Sequence, residues 1–222
     1  MPMPKRIALA SLAVVVGFYA LVAVSLLYLR FFPPLSTGVQ VQRRVEALLA
    51  GDDYDKRYTF RPLDEISDNL ERAVVAAEDT RFYEHHGFDW EEFRKAREEA
   101  EREGTAPRGA STISQQLVKN LYFTTSRSYV RKGLEYTITP FAELILGKER
   151  ILELYVNVIE WGPGVFGAEA AARHHYEASA DEISRERAAR LAAVIPAPRS
   201  RTPQRMNSYA RIIQTRMRQM GW

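Results

Sequence analysis

An uninterrupted apolar run opens the chain, and helix-period patterns follow it. No charged residue occurs from Ile7 to Leu29, a stretch longer than the ~20 residues that a helix needs to cross the bilayer hydrocarbon. The apolar region of a cleaved signal peptide is shorter, at ~7–15 residues. Lys5 and Arg6 precede the run, and positive charge is retained on the cytoplasmic side. The pattern predicts a cytoplasmic N-terminus at 1–6, an uncleaved transmembrane anchor at 7–29 and export of the remainder.

A juxtamembrane segment separates the anchor from the compact domain. Pro33 and Pro34 end the spanning helix, because proline has no amide hydrogen and disfavours helix in the residue before it. Residues 39–50 have a pattern that permits a short helix, whereas the polar stretch after Gly51 is irregular. We therefore expect a linker at 30–59 and the main domain at 60–222.

The domain shows the 3.6-residue period of helices and no convincing strand pattern. Helices are predicted at 64–77, 90–103, 112–122, 129–146, 149–158, 180–194 and 204–219. Thr112 with Gln115, and Ser179 with Glu182, have the spacing of capping boxes and mark two of the helix starts. Hydrophobic residues make up 46% of the chain, enough for one domain with a substantial core. The sequence predicts an all-α, mainly helical fold.

The charge balance and the lack of cysteine restrict the function classes. The only charged residues among the first thirty are Lys5, Arg6 and Arg30, so 28 of the 31 basic residues lie beyond them, matching the 28 acidic residues. A nucleic-acid-binding protein normally has a basic face and a basic total, so no nucleic-acid partner is expected. An exported domain without cysteine has no disulfides, and its stability must come from a packed core.

The first candidate for chemistry is Glu78, which follows the apolar helix face of 64–77 and precedes Asp79 and a run of aromatic residues. Partial burial there would raise the proton affinity of the carboxylate and favour a general base near neutral pH. An ordinary polar helix end, with both carboxylates in a structural network, is the alternative.

The second candidate is the stretch RGASTISQQLVKN at 108–120. Small residues lead into a capped helix, whose free amides and positive dipole end form a natural seat for an anion. Gln115 and Lys119 are four residues apart and so share a helix face that can line a wall of a substrate site. The alternative is an exposed polar helix face.

The third candidate is RKGLE at 131–135, where Arg131 and Lys132 lie within one helical turn of Glu135. Two cations beside a carboxylate suit a pyrophosphate leaving group, with the glutamate acting directly or through a divalent metal. A surface salt bridge is the alternative. The more favourable order at this spacing is acid before base, and here the bases come first, which slightly weakens that alternative.

Other patterns indicate no chemistry. GPGVFG at 162–167 matches the dinucleotide fingerprint but follows a helical segment, so we interpret it as a turn. Adjacent histidines at 85–86 and 174–175 point in different directions and are poor metal ligands. Tyr155 is assigned to the core. The chain contains neither GxSxG nor SxxK, so neither a serine hydrolase nor a transpeptidase site is indicated.

Five stretches in order resemble the motifs of the peptidoglycan glycosyltransferase family (family 51), particularly its monofunctional members. They are EDTRFYEHHG (78–87), GASTISQQLVKN (109–120), RKGLE (131–135), KERILELYVN (148–157) and RLAAVIPAPRSRTP (190–203). Ser114 stands where the family commonly has threonine, which retains the hydroxyl. The resemblance implies a lysozyme-like helical domain lying against a bacterial inner membrane on its periplasmic side, where it polymerises lipid II into glycan strands.

The resemblance also assigns roles to individual residues. Glu78 matches the base that deprotonates the 4-hydroxyl of the incoming lipid II, and Glu135 matches a second essential glutamate. Lys119, Arg131 and Lys132 match positions that hold the pyrophosphate. Substrate-binding positions lining the cleft are matched by Asp79, Ser111, Gln115, Asn120 and Arg199. The cofactor alternatives are none or a divalent cation, Mg²⁺ or Mn²⁺, with Glu135 as its candidate ligand.

Other functions remain open from the residues alone. A lytic enzyme could use Glu78 as a general acid, although cleavage of a neutral glycan would not need the cations at 119, 131 and 132. A non-catalytic membrane scaffold would need none of these groups, and a bifunctional enzyme would continue beyond Trp222. Expected partners are lipid II, the growing lipid-linked glycan, membrane lipid and proteins of cell-wall synthesis or division. Exposed apolar residues near Phe123 and Phe141 are candidates for contact between the domain and lipid.

Overall fold

The computed structural model describes residues 3–106 and 109–222. Met1 and Pro2, at the start of the predicted cytoplasmic segment, and Arg108, the first residue of the stretch RGASTISQQLVKN, lie outside the described residues. The first helix, α1, covers Met3–Phe31. Its stretch Lys5–Phe31 is long enough to cross a membrane and has a mean hydropathy of 2.6. Among the described residues this is the one helix of that kind.

Nine further helices follow in the described part of the chain, and the predicted mainly helical fold is confirmed. They are α2 (Gly38–Ala50), α3 (Asp68–Glu78), α4 (Trp90–Glu103), α5 (Ile113–Tyr122), α6 (Tyr129–Leu146), α7 (Lys148–Val158), α8 (Ala168–Tyr176), α9 (Arg185–Ala192) and α10 (Asn207–Gln219). Short 3₁₀ turns at Leu63–Glu65 and Pro203–Arg205 precede α3 and α10. The predicted helices at 64–77 and 204–219 each combine such a turn with a shorter α-helix.

A small sheet corrects the expectation of no strands. Its strands are β1 (Arg57–Tyr58), β2 (Glu160–Gly162) and β3 (Val165–Phe166), in the order β1-β3-β2. β3 pairs in parallel with β1 and antiparallel with β2. Strands of two or three residues are too short to show an alternating pattern. The GPGVFG stretch contains the predicted turn, at Pro163 and Gly164, but it also includes the end of β2 and all of β3, so it follows a short strand rather than a helix.

Two predictions about helices were wrong in the region after the sheet. Helix α8 was not predicted, and the helix expected at 180–194 is confined to α9. Ser179 and Glu182 do interact, since the Ser179 amide donates to Glu182 Oε2 at 3.0 Å, but they close a turn. Ser184 is the residue that caps α9. A capping-box spacing also fits an isolated turn, which explains why the predicted helix began at 180 and α9 begins only at Arg185.

The core joins α1 to the rest of the molecule through α6. The Tyr19 hydroxyl of α1 donates to Thr137 Oγ1 at 2.7 Å, and the ring centroids of Tyr19 and Phe141 are 5.9 Å apart. Leu26 of α1 is fully buried. The guanidinium of Arg150 on α7 donates 2.8 Å hydrogen bonds to main-chain oxygens at the end of α1 and just beyond. The last turns of α1 are therefore docked on the globular part.

Candidate active site

A cleft with two adjoining compartments opens between α3, α5, α6 and α10. The larger compartment has a volume of about 720 Å³ and contains Glu78. The smaller, of about 260 Å³, contains the three cations predicted to hold pyrophosphate. Ser111 and Gln116 line both compartments. The structure thus brings the first three candidate motifs to one place.

Glu78 is the last residue of α3, at the point where the helix enters the larger compartment. Burial raises the pKa of its carboxyl above the ordinary value, while the hydrogen bond from Gln116 and the charge of Lys119 lower it in part. The raised pKa favours a group that can take up a proton near neutral pH. This agrees with the physical argument made from the sequence.

Gln116 connects Glu78 to the core of the molecule. Its side-chain amide donates to Glu78 Oε2 at 2.8 Å, and its carbonyl oxygen accepts a 2.8 Å hydrogen bond from the Tyr155 hydroxyl. Tyr155 is fully buried, as expected for a core residue, but its hydroxyl reaches the cleft wall. Sequence reasoning missed both contacts.

Asp79, next to Glu78, connects the end of α3 to the start of α5. Its carboxylate accepts a 3.0 Å hydrogen bond from the amide of Ile113, the first residue of α5, and lies 3.0 Å from His85 Nε2. A carboxylate at a helix N-terminus is stabilised by the free amides and the helix dipole. Asp79 therefore fixes the end of α3 against the start of α5, which positions Glu78 relative to Gln116.

The smaller compartment has an excess of positive charge. Arg131 and Lys132 both pair with Glu135, Lys132 at 3.3 Å, and Lys132 also donates to Ser111 Oγ at 3.1 Å. Burial and the neighbouring charge of Arg131 lower the pKa of the ammonium groups of Lys119 and Lys132. The buried Glu135 offsets one of the three cations, so the compartment suits a multiply charged anion.

Gln115 lines the smaller compartment, as predicted, whereas Asn120 and Arg199 lie outside both compartments. Gln115 forms the capping box of α5, because its Oε1 accepts from the Thr112 amide at 3.1 Å. Asn120 donates to the main-chain oxygen of Gln116 at 2.8 Å and lines a neighbouring hollow. Arg199 lies 3.4 Å from Glu46 in a separate surface hollow.

Two arginines that the sequence reasoning did not select lie nearer to Glu78. The positive charge of Arg201 lowers the pKa of Glu78, and Arg216 lines the larger compartment. Arg216 also donates to the main-chain oxygens of Ala76 and Ala77 at 3.3 and 3.4 Å, which closes the end of α3. The spacing of arginines in the sequence offered no signal to distinguish these two from Arg199.

The donor set does not fit a divalent cation held by the protein alone. Glu135, the candidate ligand, already has both carboxylate oxygens engaged by Arg131 and Lys132. Across residues 3–106 and 109–222 no three His, Cys, Asp or Glu side chains form a group suited to a metal ion.

Comparisons with known proteins agree with this geometry. A family model described as Transglycosylase matches residues 43–220. A biosynthetic peptidoglycan transglycosylase of Pseudomonas fluorescens is 46% identical over 218 residues, which cover 98% of this chain and 86% of the relative. Proteins of the same name from Chromohalobacter salexigens and Pseudomonas syringae pv. syringae are 46% and 48% identical, over 92% and 88% of this chain and 89% and 84% of their own lengths.

Proposed function

Because the chain belongs to the transglycosylase family, and is thus a lysozyme-like enzyme that polymerises the glycan strands of peptidoglycan, we propose that its substrate is lipid II. The growing lipid-linked chain is the donor, and the incoming lipid II is the acceptor. The observation that carries this proposal is the adjacency of a carboxylate with a raised pKa to a compartment with three cations. A base and an anion site side by side are what transfer from a sugar diphosphate to a hydroxyl requires.

In the proposed reaction Glu78 takes the proton from the 4-hydroxyl of the acceptor sugar. The oxygen forms a bond with the anomeric carbon of the growing chain, and the bond from that carbon to the diphosphate oxygen breaks. Undecaprenyl diphosphate leaves with the bonding electron pair. A single displacement of this kind inverts an α-linked donor to a β-linked product, as in inverting glycosidases with a sugar hydroxyl in place of water.

The leaving diphosphate is proposed to lie between Lys119, Arg131 and Lys132. Glu135 holds the two cations of α6 in position through its ion pairs. Charge-assisted hydrogen bonds to the diphosphate would stabilise the negative charge that develops as the bond breaks. A hydrolase acting on neutral glycan would have no use for this compartment, which disfavours the lytic alternative.

Lys119, Arg131 and Lys132 are proposed to supply the positive charge that the diphosphate needs. A divalent cation, Mg²⁺ or Mn²⁺, would need the diphosphate itself for most of its ligands. Mg²⁺ commonly binds through substrate phosphates with few protein ligands. Polymerisation in excess EDTA should then retain activity within a few-fold of that with Mg²⁺. Complete loss of activity on chelation, restored by the metal, would contradict this assignment.

The apolar helix α1 supports a location of this chemistry at the membrane. Helix α6 carries Arg131, Lys132 and Glu135 near its start and packs on α1 through Thr137 and Phe141. We propose that α1 spans the inner membrane once, with Lys5 and Arg6 on the cytoplasmic side and the domain in the periplasm. Holding the enzyme and two lipid-linked substrates in one plane raises their effective concentration.

The test is polymerisation of labelled lipid II by the detergent-solubilised chain, beside Glu78→Gln and Glu135→Gln. Wild type should form polymer that lysozyme digests, and neither variant should do so while remaining folded. Absence of polymer from folded wild type would remove lipid II as the substrate, and activity of Glu78→Gln would remove the proposed base.

A further inference from the structure

Helix α2 is amphipathic, and it has the opposite orientation to that of an ordinary surface helix. Its inward side is mainly polar, with Val39 as a buried apolar residue at the start, and its outward side is apolar. In a water-soluble domain the apolar stripe of such a helix normally faces the core. The outward orientation of the apolar side indicates that an apolar environment covers this side of α2.

Polar contacts hold the inward side of α2. Arg43 pairs with the buried Glu160 at 2.9 Å and with Glu46 at 2.9 Å. Gln42 donates to Thr125 Oγ1 at 2.8 Å and accepts from its amide at 2.7 Å. These contacts with β2 and with the loop that follows α5 fix the rotation of α2 about its own axis.

The outward side of α2 is a continuous apolar stripe. Val41, Val45, Leu48 and Leu49 follow helical spacing and have exposed fractions of 52%, 46%, 77% and 82%. Arg44 is exposed within the same face, and no acidic residue shares it. Large aliphatic side chains on one exposed face are typical of a helix that lies at a lipid surface, and the long side chain of an arginine beside them can extend to the headgroups.

The position of α2 along the chain brings this stripe to the membrane. Six residues connect the end of α1 at Phe31 to the start of α2 at Gly38, a reach of at most about 25 Å. Phe31, Phe32 and Leu35 are exposed at 70%, 54% and 87%, so apolar surface continues from the anchor into α2.

We propose that α2 lies on the outer surface of the bilayer, with its apolar stripe inserted at the boundary between headgroups and acyl chains. The proposal rests on the membrane placement of α1 given above. Because α2 is tied to α5, which carries Lys119 and Gln116, its contact with lipid would set the height of the cleft above the membrane. Arg44 suits the phosphate groups of anionic lipids.

The chain has no cysteine, so single-cysteine variants of the full-length protein can be labelled cleanly. Leu48→Cys and Leu49→Cys would carry a polarity-sensitive fluorophore in vesicles of phosphatidylethanolamine and phosphatidylglycerol. Val16→Cys in α1 serves as the lipid-exposed control and Ser208→Cys on the exposed face of α10 as the water-exposed control. Quenching by nitroxide lipids and by aqueous iodide is measured for each variant.

Labels at positions 48 and 49 should be quenched by nitroxide lipid several-fold more than the label at 208, and iodide should reach them several-fold less. Iodide quenching equal to that at 208 would overturn the proposal. If the labels are shielded from both quenchers, and this shielding disappears at low protein density in the vesicles, the proposal is also overturned. The apolar stripe would then contact a second copy of this protein. If the label at 16 also fails to meet lipid, the anchor placement fails together with this proposal. Polymerisation in detergent tests the proposed reaction separately.

Discussion

The side-chain amide of Gln116 donates a hydrogen bond of 2.8 Å to the carboxylate of Glu78. The same side chain accepts from the buried Tyr155 hydroxyl, so its orientation is fixed with the amide toward Glu78. Burial raises the pKa of Glu78, and this hydrogen bond opposes part of the rise. Gln116 therefore adjusts how basic the proposed catalytic carboxylate is.

Gln116→Leu should move the acidic limb of the kcat/KM profile to higher pH. Hydrogen bonds to charged groups contribute about 1.5–3 kcal/mol, and a pKa unit is about 1.4 kcal/mol, so the expected shift is about one to two units. Tyr155→Phe is the matched control, because it removes only the far hydrogen bond and should shift the limb less. A fall in rate with an unchanged profile in Gln116→Leu would contradict this role.

Glu78→Gln should abolish polymerisation and stabilise the fold at neutral pH. A carboxyl whose folded-state pKa is raised stabilises the folded state at low pH, and this contribution is lost as pH rises through the folded pKa. The variant should therefore unfold at a higher temperature than wild type at pH 8, with the difference vanishing below about pH 4.5. Thermal unfolding measured across this pH range checks the sign.

Glu71→Gln is the control for that experiment. Glu71 lies on the same helix, and burial together with the charge of Asp68 raises its pKa to about 7, yet it lines neither compartment of the cleft. Its replacement should also stabilise the fold at pH 8 but leave polymerisation intact. Loss of polymerisation in both variants would show that Glu78→Gln acts through α3 as a whole.

The sequence indicated only part of what the two adjacent glutamines do. Thr112 and Gln115 were correctly predicted as a capping box, and Gln115 also lines the smaller compartment. Gln116 lines both compartments and contacts Glu78, which the sequence analysis did not predict. Its partner Tyr155 could not be inferred, because a buried tyrosine in an apolar pattern gives no sign of where its hydroxyl points.

Long periodic helices were predictable, and short or small-residue elements were not. Helices α4 and α6 have the predicted bounds, since many residues contribute to their period. Helix α8 begins with the alanine-rich stretch AEAAA, which gives no clear apolar face, and β1 and β3 have two residues each. The position of Arg199 depends on how its loop folds back toward α2, which no local pattern records.

Lys119→Ala should lower kcat/KM for lipid II by about 10- to 100-fold, the equivalent of one lost charge-assisted hydrogen bond. The buried ammonium group is proposed to contact the diphosphate directly. Lys95→Ala is the control, because Lys95 forms an exposed ion pair with Glu91 on α4, and exposed pairs contribute little. Equal effects in the two variants, measured with purified protein in detergent, would remove Lys119 from the diphosphate site.

Gly38→Ala should loosen α2 from the end of α5 and lower the unfolding temperature. A methyl group at Gly38 would lie 2.4 Å from the main-chain oxygen of Phe123 and 2.8 Å from its nitrogen, and neither main-chain atom can move without shifting α5. Overpacking of this kind costs about 1–3 kcal/mol. Gly133→Ala is the matched control, since nothing lies within 4 Å of its added methyl group and alanine favours a helix interior by roughly 0.5–1 kcal/mol. The unfolding temperature should fall in the first variant and rise in the second. Equal shifts of the same sign would show that α2 is not fixed by backbone contact with the end of α5, and its orientation would then depend on side-chain contacts such as Arg43–Glu160 and Gln42–Thr125.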